Sequence, residues 1–189
     1  NRVLVEEELA AVGAILGRKY SEIKIIRHSL FNCDAFSCFM TTEGLRYTEA
    51  FAGSGEFAVV RIVTSVLEAP EKSLVLLDEP EVSLHPGAQD RLLDFLTTIV
   101  KKHKHQVVIS THSPAIVRKL PPEAIKVLAM DSLSGKVQLP RQSSLADEAF
   151  FHLGEPIPGK IFVVVEDILA QAIVKRALSS EGEAVAALF

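Results

Sequence analysis

The sequence predicts an α/β protein, a mainly parallel sheet flanked by helices with a small antiparallel part on its N-terminal side. Three observations carry that expectation. From residue 57 onward, short and wholly apolar runs alternate with amphipathic stretches, the pattern of parallel strands joined by crossover helices. Before that point, β-branched runs on either side of Thr41-Thr42-Glu43-Gly44 read as a hairpin. The balance of 48% hydrophobic and 23% charged residues over 189 positions is that of a globular chain able to bury a core.

In chain order, residues 3–16 place apolar side chains at helical spacing, and Gly17 is positioned to stop that helix. Residues 21–30, 35–40 and 45–50 read as strands. A helix over residues 57–68 is broken by Ala69-Pro70, and residues 74–77 form a short apolar strand. Residues 87–103 make the next helix, with Leu92, Leu93, Leu96, Ile99 and Val100 on one face, and residues 107–109 the next strand. Residues 125–130 and 161–165 are further candidate strands, the second leading into an amphipathic helix that ends at Leu178.

Composition excludes several classes. A net charge of −4 leaves no basic excess to announce nucleic acid by electrostatics. Two cysteines, Cys33 and Cys38, are too few for a disulfide framework and lack the partners of a zinc site, which fits a reducing cytoplasm. No apolar run approaches the roughly 20 residues that span a bilayer, so no membrane is expected. The chain begins at Asn1 and ends on the apolar run 184–189, so a piece of a longer protein is expected.

Three local features follow one another in the α/β stretch. Gly53-Ser54-Gly55-Glu56 lies immediately ahead of a helix. Glycines there let a backbone approach a ligand, and the N–H groups of a helix start favour phosphate; the plainer reading is a helix cap with Ser54 as the capping residue. Asp78-Glu79-Pro80 leaves a strand with two adjacent carboxylates, which suits magnesium-dependent phosphoryl chemistry: one holds the ion, the other faces an attacking water. The alternative is that the acids only mark where the strand meets solvent. Ser110-Thr111-His112-Ser113-Pro114 leaves another strand with a histidine among hydroxyls, able to bond a phosphate or a water, or else to cap and pack.

With Ser83-Leu84-His85-Pro86 between the last two, this order and spacing resembles the ABC-type ATPases, in the branch that contains SMC, RecF and OLD proteins, over roughly residues 45–130. The resemblance implies the C-terminal lobe of such a head over residues 1–150 and a further α/β segment over 151–189. It implies Asp78 as the magnesium residue of a Walker B strand, Glu79 as the base acting on water, and His112 as the switch histidine at the γ-phosphate. Gly53, Ser54, Gly55 and Glu56 would be the signature that covers ATP bound to a second head, and Ser83 would belong to the D-loop. Two departures stand out: Gly53 occupies the position where the family's signature starts with serine, and His85 the position where its D-loop ends in aspartate.

The family also needs a phosphate loop, G-x-x-x-x-G-K-[ST], upstream of the signature. The near-match Gly154-Glu155-Pro156-Ile157-Pro158-Gly159-Lys160 is rejected: it lies downstream, lacks the Ser/Thr, and carries an acid and two prolines where N–H groups should cradle phosphate. Either the loop lies outside this chain or the nucleotide site is inactive. His103-Lys104-His105 reads as a solvated basic helix end, with metal binding as the alternative, and Asp147-Glu148 as surface acid. Glu166, after the strand at 161–165, resembles the opening of a Toprim nuclease domain; the plainer reading is a strand end with Asp167 as helix cap.

The function expected is ATP binding and magnesium-dependent hydrolysis coupled to dimerisation of two heads, in DNA repair or antiphage defence in the cytoplasm. A nuclease whose ATPase part gates cleavage of nucleic acid, with or without a nuclease partner protein, is the alternative. So is a regulatory module that binds nucleotide without turnover.

Overall fold

The computed structural model describes residues 1–30, 33–131, 134–153, 165 and 167–177. By compactness the chain divides into two units, Asn1–Lys119 and Leu120–Phe189. The first opens on β1 (Arg2–Val3) and α1 (Glu6–Leu16), whose first turn carries Glu6, Glu7 and Glu8 where the helix dipole favours acids. Gly17, at φ 67°, takes the left-handed position that ends the helix, as its place in the sequence predicts.

β2 (Glu22–Leu30), β3 (Cys33–Thr42) and β4 (Leu45–Thr48) join β1 in an antiparallel sheet of order β1-β2-β3-β4. The turn between β3 and β4 is Glu43-Gly44, both at positive φ (45° and 80°), so that its twist matches the strands. Register sets Ile23 opposite Met40 and Ile25 opposite Cys38, and all four are buried. Against them α2 (Ser54–Glu68) lays Val59, Val60, Val63 and Val66, and α1 lays Val12 and Ile15. Burying each such side chain is worth about 1.5–3 kcal/mol, which is what holds helices of this length in place. α2 starts three residues earlier than its apolar spacing predicts. Its cap is Gly53, not Ser54, and the Glu56 carboxylate reaches back to accept the Gly53 N–H at 3.3 Å.

β5 (Leu74–Asp78) and β6 (Gln106–Ser110) run parallel, joined by α3 (Pro86–His103), which buries Ala88, Leu92, Leu93, Leu96 and Ile99. The α/β class is as expected, but the sheet proportions are not. Among the described residues the parallel sheet has two strands and the antiparallel one four. Among the described residues β5 and β6 are covered on one face: Val75, Leu77 and Ile109 lean on the core, whereas Leu74, Leu76 and Val108 are 59%, 70% and 56% exposed. An unbroken apolar run announces a strand without saying how many of its faces are covered.

His103-Lys104-His105 also departs from expectation. Lys104 takes a left-handed helix-ending conformation, φ 57°, and this turns His105 inward. The His105 ring is buried, stacks on His103 with centroids 5.5 Å apart, and accepts the Ser73 N–H on Nδ1 at 3.2 Å. The unit closes with α4 (Pro114–Arg118), after which Lys119 pairs with Asp94 of α3 at 3.2 Å.

In the second unit a 3₁₀ turn (Pro122–Ala124) precedes β7 (Ala129–Met130), which pairs antiparallel with β8 (Val137–Gln138). The strand expected over 125–130 is thus only its last two residues: the Ile125 N–H is taken by the Pro122 carbonyl at 3.2 Å, and residues 126–128 are irregular. α5 (Ala146–Leu153) carries Asp147 and Glu148 in its first turn, half-buried rather than fully at the surface, with Glu148 3.8 Å from Arg141. α6 (Ile168–Ala177) is capped by Asp167, whose Oδ1 accepts the Ala170 N–H at 2.7 Å. Glu166, the run 154–160 and residues 161–164 lie outside the described residues. No helix among the described residues is long and apolar enough to cross a membrane.

Candidate functional site

Parallel pairing places Asp78 beside Ser110, so the loops leaving β5 and β6 emerge side by side at the C-terminal edge of the sheet. The carboxyl ends of parallel strands are where α/β folds assemble their sites. The Ser110 hydroxyl donates to Asp78 Oδ1, and the Glu79 N–H donates to the Ser110 carbonyl at 3.0 Å. The second bond is the last of the parallel ladder, and beyond it the chain turns abruptly. Glu79 sits at φ 41° and Ser83 at φ 67°, left-handed conformations that non-glycine residues adopt at a cost and that recur at functional sites.

The turned loop aims Glu79 at the next one. Glu79 Oε1 lies 3.2 Å from His112 Nε2, with side chains 43% and 76% exposed, so both are open to a ligand or water. A proton on Nε2 serves that contact and leaves Nδ1 as an acceptor. Behind them Glu81 is buried, and accepts the Thr111 hydroxyl and the His112 N–H, the latter at 3.1 Å. Ser113, the cap of α4, donates its hydroxyl to Gln89 Oε1 at 2.5 Å, and Gln89 Nε2 donates to the Leu84 carbonyl at 2.8 Å. His85 caps α3 through its ring, Nδ1 accepting the Gly87 N–H at 3.2 Å, so its imidazole is spent on the helix start.

The glycine-rich segment meets this cluster at one point: a Cβ on Gly55 would stand 2.6 Å from the Ser83 carbonyl oxygen. Gly53 and Ser54 are exposed. Glu56 is engaged within the chain, its Oε1 accepting from Arg18 at 2.8 Å, Tyr20 at 2.7 Å and Tyr47 at 3.2 Å. Burial, then the Glu56 carboxylate, push the Tyr20 phenol well above its ordinary range, which keeps it a donor. Beside the segment an open cleft of 620 Å³ is lined by Arg18, Tyr47, Gly53, Glu56 and the exposed ring of Phe51.

The structure therefore brings Asp78, Glu79, Ser83 and His112 into one loop cluster and sets the glycine-rich helix start against it. Sequence reasoning assigned no role to Glu81, Gln89 or Ser110. The signal for Glu81 was a third acid directly after the proline of Asp78-Glu79-Pro80-Glu81; for Gln89 no local signal exists, because it joins the loop before its own helix to a distant one. Among the described residues no group of three or more His, Cys, Asp or Glu side chains forms a metal cluster.

In fold the chain is similar to the head domains of SMC ATPases. Residues 41–118 match the family model described as "AAA domain, putative AbiEii toxin, Type IV TA system". A 69-residue stretch is 38% identical to Protein ea59 of Escherichia phage lambda; it makes up 36% of this chain and the chain spans 13% of that protein. An SMC ATPase solved in a study of ATP-driven dimerization and DNA-stimulated activation is similar with a TM-score of 0.53 and 14% identity, over 78% of this chain and 86% of its own. The Smc head domain with a coiled coil and joint from Pyrococcus yayanosii gives 0.53 and 13%, over 78% and 28%. At those identities the likeness to the solved structures is one of fold.

Proposed function

We propose that this chain forms part of an ATPase head that binds and hydrolyses ATP with magnesium and works as a dimer with a second head. The observation that carries the reading is the strained turn at Glu79, which holds a carboxylate 3.2 Å from His112 beside the exposed Asp78. The donor set suits magnesium, a hard cation that takes carboxylate oxygens and keeps several waters. In this reading Asp78 would hold the ion, which when bound supplies positive charge to the phosphate oxygens. Glu79 accepts a proton from the attacking water, and His112 fixes the terminal phosphate. Gly53, Ser54, Gly55 and Glu56, with Ser83, present the face that meets the nucleotide of the second head. Glu56 does so indirectly, by bracing the helix start.

The solved SMC ATPases are described as dimerising under ATP and as activated by DNA. That description supports dimerisation and action on nucleic acid here; DNA repair or antiphage defence is the setting we propose for them. The test uses the full-length protein, because the 189 residues hold no G-x-x-x-x-G-K-[ST] loop ahead of Gly53. Glu79→Gln should leave ATP binding intact and lower turnover by about 10²–10⁴-fold, the usual loss on removing a general base. Turnover within about threefold of wild type would take the role from Glu79.

A further inference from the structure

Among the described residues the buried Glu81 carboxylate forms no ion pair, and its Oε2 is buried without a hydrogen-bond partner. Burying an acid this way is costly unless its bonds accomplish something. Both bonds made by its other oxygen go to the loop that carries His112: the Thr111 hydroxyl and the His112 N–H. On the far side of His112, Ser113 is tied through Gln89 to the Leu84 carbonyl, and the Leu84 N–H donates back to the Glu81 carbonyl at 2.9 Å. The result is a closed ring of hydrogen bonds around the switch loop, with the Glu79–His112 contact on its rim.

We propose that Glu81 and Gln89 are positioning residues that fasten the His112 loop to the loop carrying Glu79 and Ser83, so that these side chains meet only when both fastenings are made. Neither residue reaches the reacting atoms. Glu81 acts through the backbone of His112 and Gln89 through Ser113. The consequence for turnover rests on the ATPase reading; the fastening itself does not.

The experiment compares Glu81→Ala, Glu81→Gln and Gln89→Ala in the full-length protein. Steady-state ATP hydrolysis should show kcat reduced by about 10- to 100-fold in Glu81→Ala, as expected when a reacting group is misplaced by an ångström, with KM changed by less than about threefold. Glu81→Gln keeps the accepting oxygen and should recover to within about fivefold of wild type. Gln89→Ala, which leaves the buried acid in place and so keeps a folded reference, should lose about tenfold. In a His112→Ala background, Glu81→Ala should cost less than about twofold more, because both changes disable one unit. Losses that multiply in that background, or a Glu81→Ala enzyme with wild-type kcat, would overturn the proposal. Deuterium exchange over residues 110–114 gives a readout free of ATP. Exchange should quicken by about tenfold or more in Glu81→Ala but not in Glu81→Gln, since a freed N–H opens locally. Unchanged exchange refutes the fastening even if the protein proves not to hydrolyse ATP; quickened exchange without any wild-type turnover upholds the fastening and refutes the ATPase reading instead.

Discussion

Gly55→Ala isolates a contact that decides how the glycine-rich segment sits on the neighbouring loop. The new methyl carbon would lie 2.6 Å from the Ser83 carbonyl oxygen and 2.8 Å from Leu84 Cδ2. The leucine methyl can rotate away, but the carbonyl belongs to a residue already held at φ 67° and cannot yield alone. Overpacking of this kind costs about 1–3 kcal/mol, offset by at most about 1 kcal/mol of helix propensity gained from alanine. The net expectation is a loss of about 1–2 kcal/mol, or a fall of roughly 3–8 °C in Tm for a unit of this size. Gly53→Ala is the matched control, since nothing stands within 4 Å of its added carbon. It should cost less than about 1 kcal/mol, the difference between glycine and alanine as a helix cap. Thermal melts and urea titrations of both variants give the comparison. A Gly55→Ala protein as stable as wild type would refute the argument that Ser83 packing, and not ligand approach alone, demands glycine here.

Two further outcomes follow from local geometry. Burial pushes the Glu8 carboxyl upward, but hydrogen bonds from Arg2 and the Val5 N–H, with the Arg2 charge, outweigh it and hold Glu8 below the ordinary glutamate range. A depressed acid contributes stability that is present above its unfolded pKa and lost as pH falls through its folded one, so wild type should lose stability more steeply than Glu8→Gln below about pH 5 in urea titrations. Asp167→Ala removes the cap of α6 and should cost on the order of 1 kcal/mol in the same assay while leaving ATP turnover unchanged.

Much of the first unit was legible because its signals are local. Gly17 marks a helix end by the one conformation it alone adopts cheaply, and the β2–β3 pair shows its inner face as Ile23, Ile25, Cys38 and Met40 at a period of two. The site was half legible. Asp78, Glu79 and His112 stand at strand exits, where an acid or histidine after an apolar run is visible in one dimension. Gln89 is not visible, because it sits on a helix among other polar residues and its role depends on Ser113, which approaches from a loop elsewhere in the chain. His105 misled for a related reason: a basic neighbourhood suggests solvent, yet the left-handed step at Lys104 reverses its direction into the core. The exposed outer face of β5 and β6 was hidden by the sameness of their residues, since Leu76 and Leu77 look alike in sequence and differ only in which way the pleat sends them.

The left-handed backbone at Glu79 and Ser83 sets two selective pressures against each other. Glycine would relax either position, by about 1 kcal/mol or more, and asparagine would tolerate it better than glutamate does. A library sorted for thermal resistance alone should therefore drift toward glycine or asparagine at these positions, and at 79 each such winner discards the carboxylate. Sorting first for nucleotide turnover should keep Glu79 and place the stabilising changes elsewhere, so the residue that best resists replacement under one screen is the first to be lost under the other.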